Sequence, residues 1–125
     1  MSGKGTLVDS VIVIDHLNGI REATEYLRQN HANCRVSAIT VAEVLAGLEG
    51  AERDKAAGLL DCFAFLPLDR EDAVKAAELR KTHGWKLPDA FQAALARLHG
   101  LKLVTRDEKA FKPEKHSFVL VPYRV

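Results

Sequence analysis

"TLVDSVIVIDHL" (Thr6 to Leu17) holds the reading that decides the fold. "TLVD" (Thr6 to Asp9) reads as a short buried strand that ends on an aspartate, and "VIVIDHL" behind it has the pattern of a helix. The unit recurs down the chain. "CRVSAIT" (Cys34 to Thr40), "FAFLPL" (Phe63 to Leu68), "LKLVT" (Leu101 to Thr105) and "SFVLVPY" (Ser117 to Tyr123) read as four further strands. Helical patterns fill the intervals: "IREATEYLRQN", then "VAEVLAGLEG" and "AERDKAAGLLDCF", then "REDAVKAAELRKTHG" and "PDAFQAALARLHG". Strands this short and apolar, alternating with helices, predict a three-layer α/β/α domain around a parallel, about five-stranded central sheet. In that class ligands sit beyond the carboxyl ends of the strands. Punctuation agrees: Asp69, three residues before Asp72, suits an N-cap, Gly50, Gly84 and Gly100 stand where helices should stop, and Pro88 suits a first turn.

A chain of 125 residues fits a single domain over 1–125, large enough to take roughly two-thirds of its unfolded surface out of water. Residues 1–5, with the "GKG" stretch, read as a flexible leader, since they lack the spacing and the Ser/Thr of a phosphate loop. No apolar run approaches the roughly 20 residues that span a bilayer, and no secretory signal opens the chain, so a soluble, cytoplasmic protein is expected. Cys34 and Cys62 have neither CxxC spacing nor a histidine set beside them and read as reduced core thiols rather than zinc ligands. The five histidines, His16, His31, His83, His99 and His116, are scattered and read as structural. A net charge of +1 excludes nucleic-acid binding by bulk basicity and leaves room for a local basic patch.

Four carboxylates stand out by position. Asp9 closes the first strand and Asp107 follows the "LKLVT" strand by two residues. Glu43, in "TVAEVLAGL", points away from the stripe of Val41, Val44, Leu45 and Leu48 and is flanked by Ala42, Ala46 and Gly47. Asp89 lies opposite the stripe of Phe91, Leu95 and Leu98 and shares its face with Ala93 and Ala96. Each has a plain account: Asp9 as a helix N-cap, Asp107 as a turn residue, Glu43 as an exposed helix glutamate, Asp89 as an acid favoured by a helix dipole. Together they are expected at one carboxyl edge of the sheet. Converging acids repel one another and take up protons unless a cation neutralises them, and all-oxygen ligation favours Mg²⁺ or Mn²⁺.

"LVDSVIVIDHL", "TVAEVLAGL", "LPDAFQAALA" and "LVTRDEKAF", in that order, resemble the four acidic motifs of PIN-domain ribonucleases, specifically the VapC toxins of prokaryotic toxin–antitoxin pairs. The resemblance runs from about residue 6 to the C-terminus and includes "LPLDREDAVKAAELR" (Leu66 to Arg80). It implies that Asp9, Glu43, Asp89 and Asp107 hold the metal and are catalytic, and that Ser10 is the hydroxyl residue beside the first aspartate and an expected contact to substrate. Val11 departs from the commoner Ser or Asn, so no role carries over to it. Asp15 matches a position often acidic in such toxins and is read as peripheral. Lys86, Arg106 and Lys109, which flank Asp89 and Asp107, are the expected contacts to a substrate backbone, Lys109 equally reading as a solvated surface residue. The implied activity is Mg²⁺- or Mn²⁺-dependent cleavage of RNA to a 5′-phosphate and a 3′-hydroxyl. The implied partners are an RNA substrate, an antitoxin protein and a second copy in a homodimer.

Two rival readings stay open. A phospho-accepting signalling domain shares this length and fold class, with Asp69 as its acceptor, though such domains use adjacent acids after the first strand and this chain has "VDSV". The other is an inactive PIN-like binding module, against which all four acids are present.

Overall fold

The computed structural model describes residues 5–125, so the expected leader lies outside the described residues except for Gly5. Strand β1 (Thr6–Val8) leads to α1 (Ser10–Leu17) and α2 (Arg21–Asn30), and a single 3-10 turn (His31–Asn33) delivers the chain to β2 (Cys34–Ser37). Helices α3 (Ala38–Ala46) and α4 (Gly50–Leu60) precede β3 (Ala64–Leu66). Then come α5 (Arg70–His83), α6 (Leu87–Leu98), β4 (Lys102–Val104) and β5 (Val119–Leu120). All neighbouring strands pair in parallel, in the order β3-β2-β1-β4-β5. The chain therefore winds outward from β1 to β3, crosses back, and resumes on the other side of β1 with β4. The β1/β4 junction is the switch point where a doubly wound sheet opens a crevice at its carboxyl edge.

Why the strand patterns lack alternation is visible in the packing. Successive strand residues face opposite sides of a sheet. Leu7 and Leu103 enter one core with Leu95, Phe111, Trp85 and the alanines of α6. Val8, Val36 and Val104 enter the other with Ile12, Val13, Val44 and Phe63. Both faces are covered, so both must be apolar.

The structure departs from the sequence expectations at several boundaries. The Ser37 side chain accepts from the Thr40 amide and caps α3, which ends β2 three residues short of Thr40 and puts "AIT" in the helix. The final strand contracts to Val119–Leu120. Gly50 opens α4 instead of ending α3, whose cap is Gly47. Cys34 is buried as expected, whereas Cys62 is exposed. In α6 both faces are buried at mid-helix, with Leu95 of the heavy stripe and Ala93 and Ala96 of the small face all at 0%, whereas Leu98 at the end of the helix is 39% exposed. Gly84 does end α5, at a φ of 72° that only glycine adopts without strain. Pro88 stands in the first turn of α6. Among the described residues no helix is long and apolar enough to cross a membrane.

Candidate active site

Asp9 follows β1 and sits between β1 and β4, its amide donating to the Val104 carbonyl at 2.9 Å. The N-cap account of it holds in part: one carboxylate oxygen accepts from the Ser10 amide at the start of α1, 2.9 Å away. The same oxygen accepts from Gln92 Nε2 at 3.3 Å, and the other accepts from the Thr105 hydroxyl at 2.7 Å. A carboxylate 6% exposed thus has three donors fixing its orientation. Burial pushes its pKa above the ordinary value, the hydrogen bonds from Thr105, Gln92 and Ser10 oppose that, and the Glu43 charge adds to it.

Behind Asp9 lies a buried polar network. The Ser37 hydroxyl donates to Gln92 Oε1 at 2.7 Å, Gln92 Nε2 donates to Thr40 Oγ1 at 2.8 Å, and the Thr40 hydroxyl donates to the Val8 carbonyl at 3.2 Å. These bonds tie β1, β2, α3 and α6 together directly beneath the carboxylate. Thr105 has a second task, since its hydroxyl oxygen accepts the Asp107 amide at 3.1 Å. One hydroxyl therefore sets the two strand-exit acids relative to each other. The turn account of Asp107 also holds, as one of its oxygens accepts from the Ala110 amide at 3.2 Å.

Glu43 lies exposed on α3, and its Oε1 accepts from the Ser10 hydroxyl at 2.8 Å. Asp89, in the first turn of α6, is half-buried, and its pKa is pushed up to about 6. Burial is the largest cause, followed by the negative charges of Asp9, Asp107 and Glu43, with Lys86 opposing them. Asp89 therefore shares one electrostatic neighbourhood with the other three acids. Residues 18 to 98 positions apart in sequence meet at one mouth, opposed by Lys86 at the N-cap position of α6.

Among the described residues, no three His, Cys, Asp or Glu side chains already converge closely enough to hold an ion directly. That spacing agrees with mutual repulsion of the acids and with the habit of Mg²⁺, which keeps several waters and takes one or two carboxylates directly. The donor set, all oxygen with a buried and oriented Asp9, fits such a hard cation.

The other expected residues are placed as follows. Asp15 is buried and is gripped by Arg106 through Nε at 2.5 Å and Nη2 at 2.8 Å, with the Tyr123 hydroxyl donating at 2.8 Å. Arg106 gives Asp15 two of the five N–H donors of a guanidinium. Lys86 and Lys109 are exposed. Asp69 is engaged in a capping box: its oxygen accepts from the Asp72 amide at 3.1 Å, and its own amide donates to Asp72 at 2.9 Å. A cap explains Asp69 without the phospho-acceptor role. Gln92, Thr105, Ser37 and Thr40 escaped the sequence reading, although Gln92 is the one polar residue interrupting the apolar run behind Asp89, and a buried polar side chain needs partners.

A family model described as the PIN domain matches residues 6–115. Among solved structures, a chain of a toxin–antitoxin complex from Klebsiella pneumoniae is 32% identical, with a TM-score of 0.88 over 97% of this chain and 100% of that one. A chain of FitAcB from Neisseria gonorrhoeae is 26% identical, with a TM-score of 0.75 over 96% of this chain and 99% of that one. A chain of DNA-bound VapBC from Salmonella typhimurium, 18% identical, has a TM-score of 0.74 over 86% of this chain and 90% of that one, a likeness of fold. No curated protein matches the chain.

Proposed function

The chain belongs to the PIN-domain family, and from that premise we propose that it is a divalent-metal-dependent endoribonuclease serving as the toxin of a toxin–antitoxin pair. The observation that carries the reading is Asp89, whose carboxyl is lifted to about 6 by burial and by three other acids gathered at the β1/β4 switch point. Repulsion of that kind is maintained in a fold when a cation offsets it.

In this reading Asp9, Glu43, Asp89 and Asp107 hold Mg²⁺ or Mn²⁺. Bound there, the ion supplies an activated water and neutralises charge on a phosphodiester. The chain's own residues do the rest. Thr105 and Gln92 hold Asp9 in one orientation, and Ser10 steadies Glu43 through its hydroxyl. Lys86, beside Asp89, offers a point charge to a phosphate of the RNA backbone, and Arg106 does so with the donors that Asp15 leaves it. An antitoxin partner is supported by the Klebsiella chain, which comes from a toxin–antitoxin complex. A homodimer belongs to the same proposal.

The test compares wild type with Asp89→Asn for cleavage of RNA in Mn²⁺ and in chelator. Cutting in Mn²⁺ alone, reduced in the variant by more than the roughly 10- to 100-fold that loss of a supporting partner costs, is expected. Equal cutting by both proteins, or cutting that survives chelator, removes the metal site from the mechanism.

A further inference from the structure

At the opposite edge of the sheet, where β1 and β4 begin, lies a cavity of about 870 Å³. Its charged lining is basic: Arg97 from α6, Lys102 from β4, whose ammonium also donates to the Ser117 carbonyl, and Lys115 from the segment before β5, with the His116 ring beside it. No Asp or Glu lines it among the described residues, in a chain whose net charge is only +1. The uncharged lining adds hydrogen-bonding groups at Asn33 and Ser117. A concentration of cations on three separate elements is the footprint of a polyanion more than of a single small anion.

A row of rings runs from this cavity. His116 stands 5.6 Å from Phe118, 5.2 Å from Trp85 and 5.1 Å from His83, centroid to centroid. The exposed His83 ring lies flat on Trp85, 4.2 Å away and inclined by 22°. Trp85 is pinned by its indole N–H, which donates to the Ala110 carbonyl at 2.7 Å. The next residue is Lys86, the cation that opposes the raised pKa of Asp89. Along the chain the ring row therefore ends one residue before the lysine at the rim of the acidic mouth. Thr6 in the cavity and Asp9 in the mouth are three residues apart along β1, about 10 Å of extended chain. His116 itself is held below its ordinary pKa, first by burial and then by the charges of His83, Arg97 and Lys115, against Glu114 alone. An incoming anion relieves that crowding.

We propose that the cavity and the exposed His83 ring, backed by Trp85, form a second RNA-binding surface, which holds the phosphates and stacks a base of the strand running on from the scissile position. The proposal rests on the nuclease reading of the acidic mouth. Its chemistry is that of single-strand binding in general, with a basic groove tracking the backbone and aromatic faces taking successive bases.

The experiment uses the full chain in chelator, so that binding is read without cutting. Fluorescence anisotropy follows a labelled single-stranded RNA of about twenty nucleotides, and one of about four, across a salt series. Arg97→Ala combined with Lys115→Ala is expected to weaken the long RNA about 10-fold and to flatten its salt slope by about 1.4, the loss of two phosphate contacts. His83→Ala is expected to weaken it about 5-fold or more through lost stacking. In Mn²⁺ both variants should cut the short RNA as wild type does, and Arg97→Lys with Lys115→Arg should restore the slope. Unchanged affinity and slope for the long RNA, while wild type cuts RNA normally, overturns the surface and leaves the nuclease standing. Competition by inorganic phosphate as effective as that by RNA overturns it in favour of a small-anion pocket. A wild type that neither binds nor cuts RNA removes the nuclease reading and this inference with it.

Discussion

Gln92 is 1% exposed, and its amide is held on both sides: the oxygen accepts from Ser37, and the nitrogen donates to Asp9 and Thr40. Replacing it with leucine keeps the volume and strands three polar partners, so Gln92→Leu should cost about 1–3 kcal/mol in urea unfolding. The same substitution removes a bond that lowers the pKa of Asp9 and should raise that pKa further, readable by carboxyl NMR titration. Asp89 gives a prediction of opposite sign. Its folded pKa of about 6 exceeds the ordinary 3.8, so the folded state binds the proton more tightly than the unfolded chain. The associated stability is fully present below about pH 4 and is lost as pH rises through about 6. In chelator at neutral pH the ionised carboxylate then destabilises the fold by about 1 kcal/mol, after allowance for solvent at a half-buried group. Asp89→Asn should therefore raise the melting temperature by about 4 °C at pH 7.5 and leave it unchanged near pH 4. Added Mn²⁺ should reverse the order, because only wild type gains from the ion; a variant less stable than wild type in chelator would show that the acids do not repel.

Helix ends carried more information than strand ends. Asp69 and Asp72 form the capping box their spacing predicts, and Asp69→Ala should cost about 1 kcal/mol in thermal or urea unfolding while RNA cleavage stays at the wild-type rate. A large loss of cleavage with the fold intact would reopen the question of what Asp69 does. Pro88 and Gly84 were equally legible, because each answers to a local backbone rule. Ser37 was not: "RVSAIT" has strand-like residues on both sides of it, and only the turn of the chain makes its hydroxyl a cap. Gly50 failed for the related reason that a glycine between two helices marks a junction without saying which helix it belongs to. The four acids could be singled out because they are charged residues beside apolar patterns. Gln92 and Thr105 could not, because the bonds with which they orient Asp9, and those that tie down Gln92, span 52 to 96 positions and only the sheet order brings those partners near. The basic cavity was illegible for the same reason, since Arg97, Lys102 and Lys115 do not form a run in sequence.

At the scale of the whole molecule, the segments that follow β1 and β4 are tied to each other and to the C-terminal segment by side chains as well as by the sheet. Asp15 on α1, Arg106 in the loop after β4 and Tyr123 near the C-terminus form one cluster. The Asp15 pKa is held below its ordinary value, chiefly by the hydrogen bond from Arg106 and further by Tyr123, against the cost of burial. A depressed folded pKa contributes stability above the ordinary carboxylate value and loses it as pH falls through the folded one. The loss should therefore appear on the acid side of about pH 4, opposite in direction to the Asp89 effect. Asp15→Asn should cost about 2 kcal/mol at neutral pH, below the 3–5 of a fully buried pair because the Arg106 side chain is 32% exposed. Tyr123→Phe should cost about 1 kcal/mol, and the pair should be non-additive, since both act on one carboxylate. Urea unfolding from about pH 5 down to pH 2 should show an acid limb in wild type that is flattened in Asp15→Asn. Because Arg106 immediately precedes Asp107, freeing its guanidinium also loosens the strand-exit acid that Thr105 orients. The variant should accordingly lose RNA cleavage by more than its stability change explains at temperatures where it is fully folded. If cleavage per folded molecule is unchanged, the cluster is a clasp on the fold alone and Asp107 is positioned by Thr105 without help from Arg106.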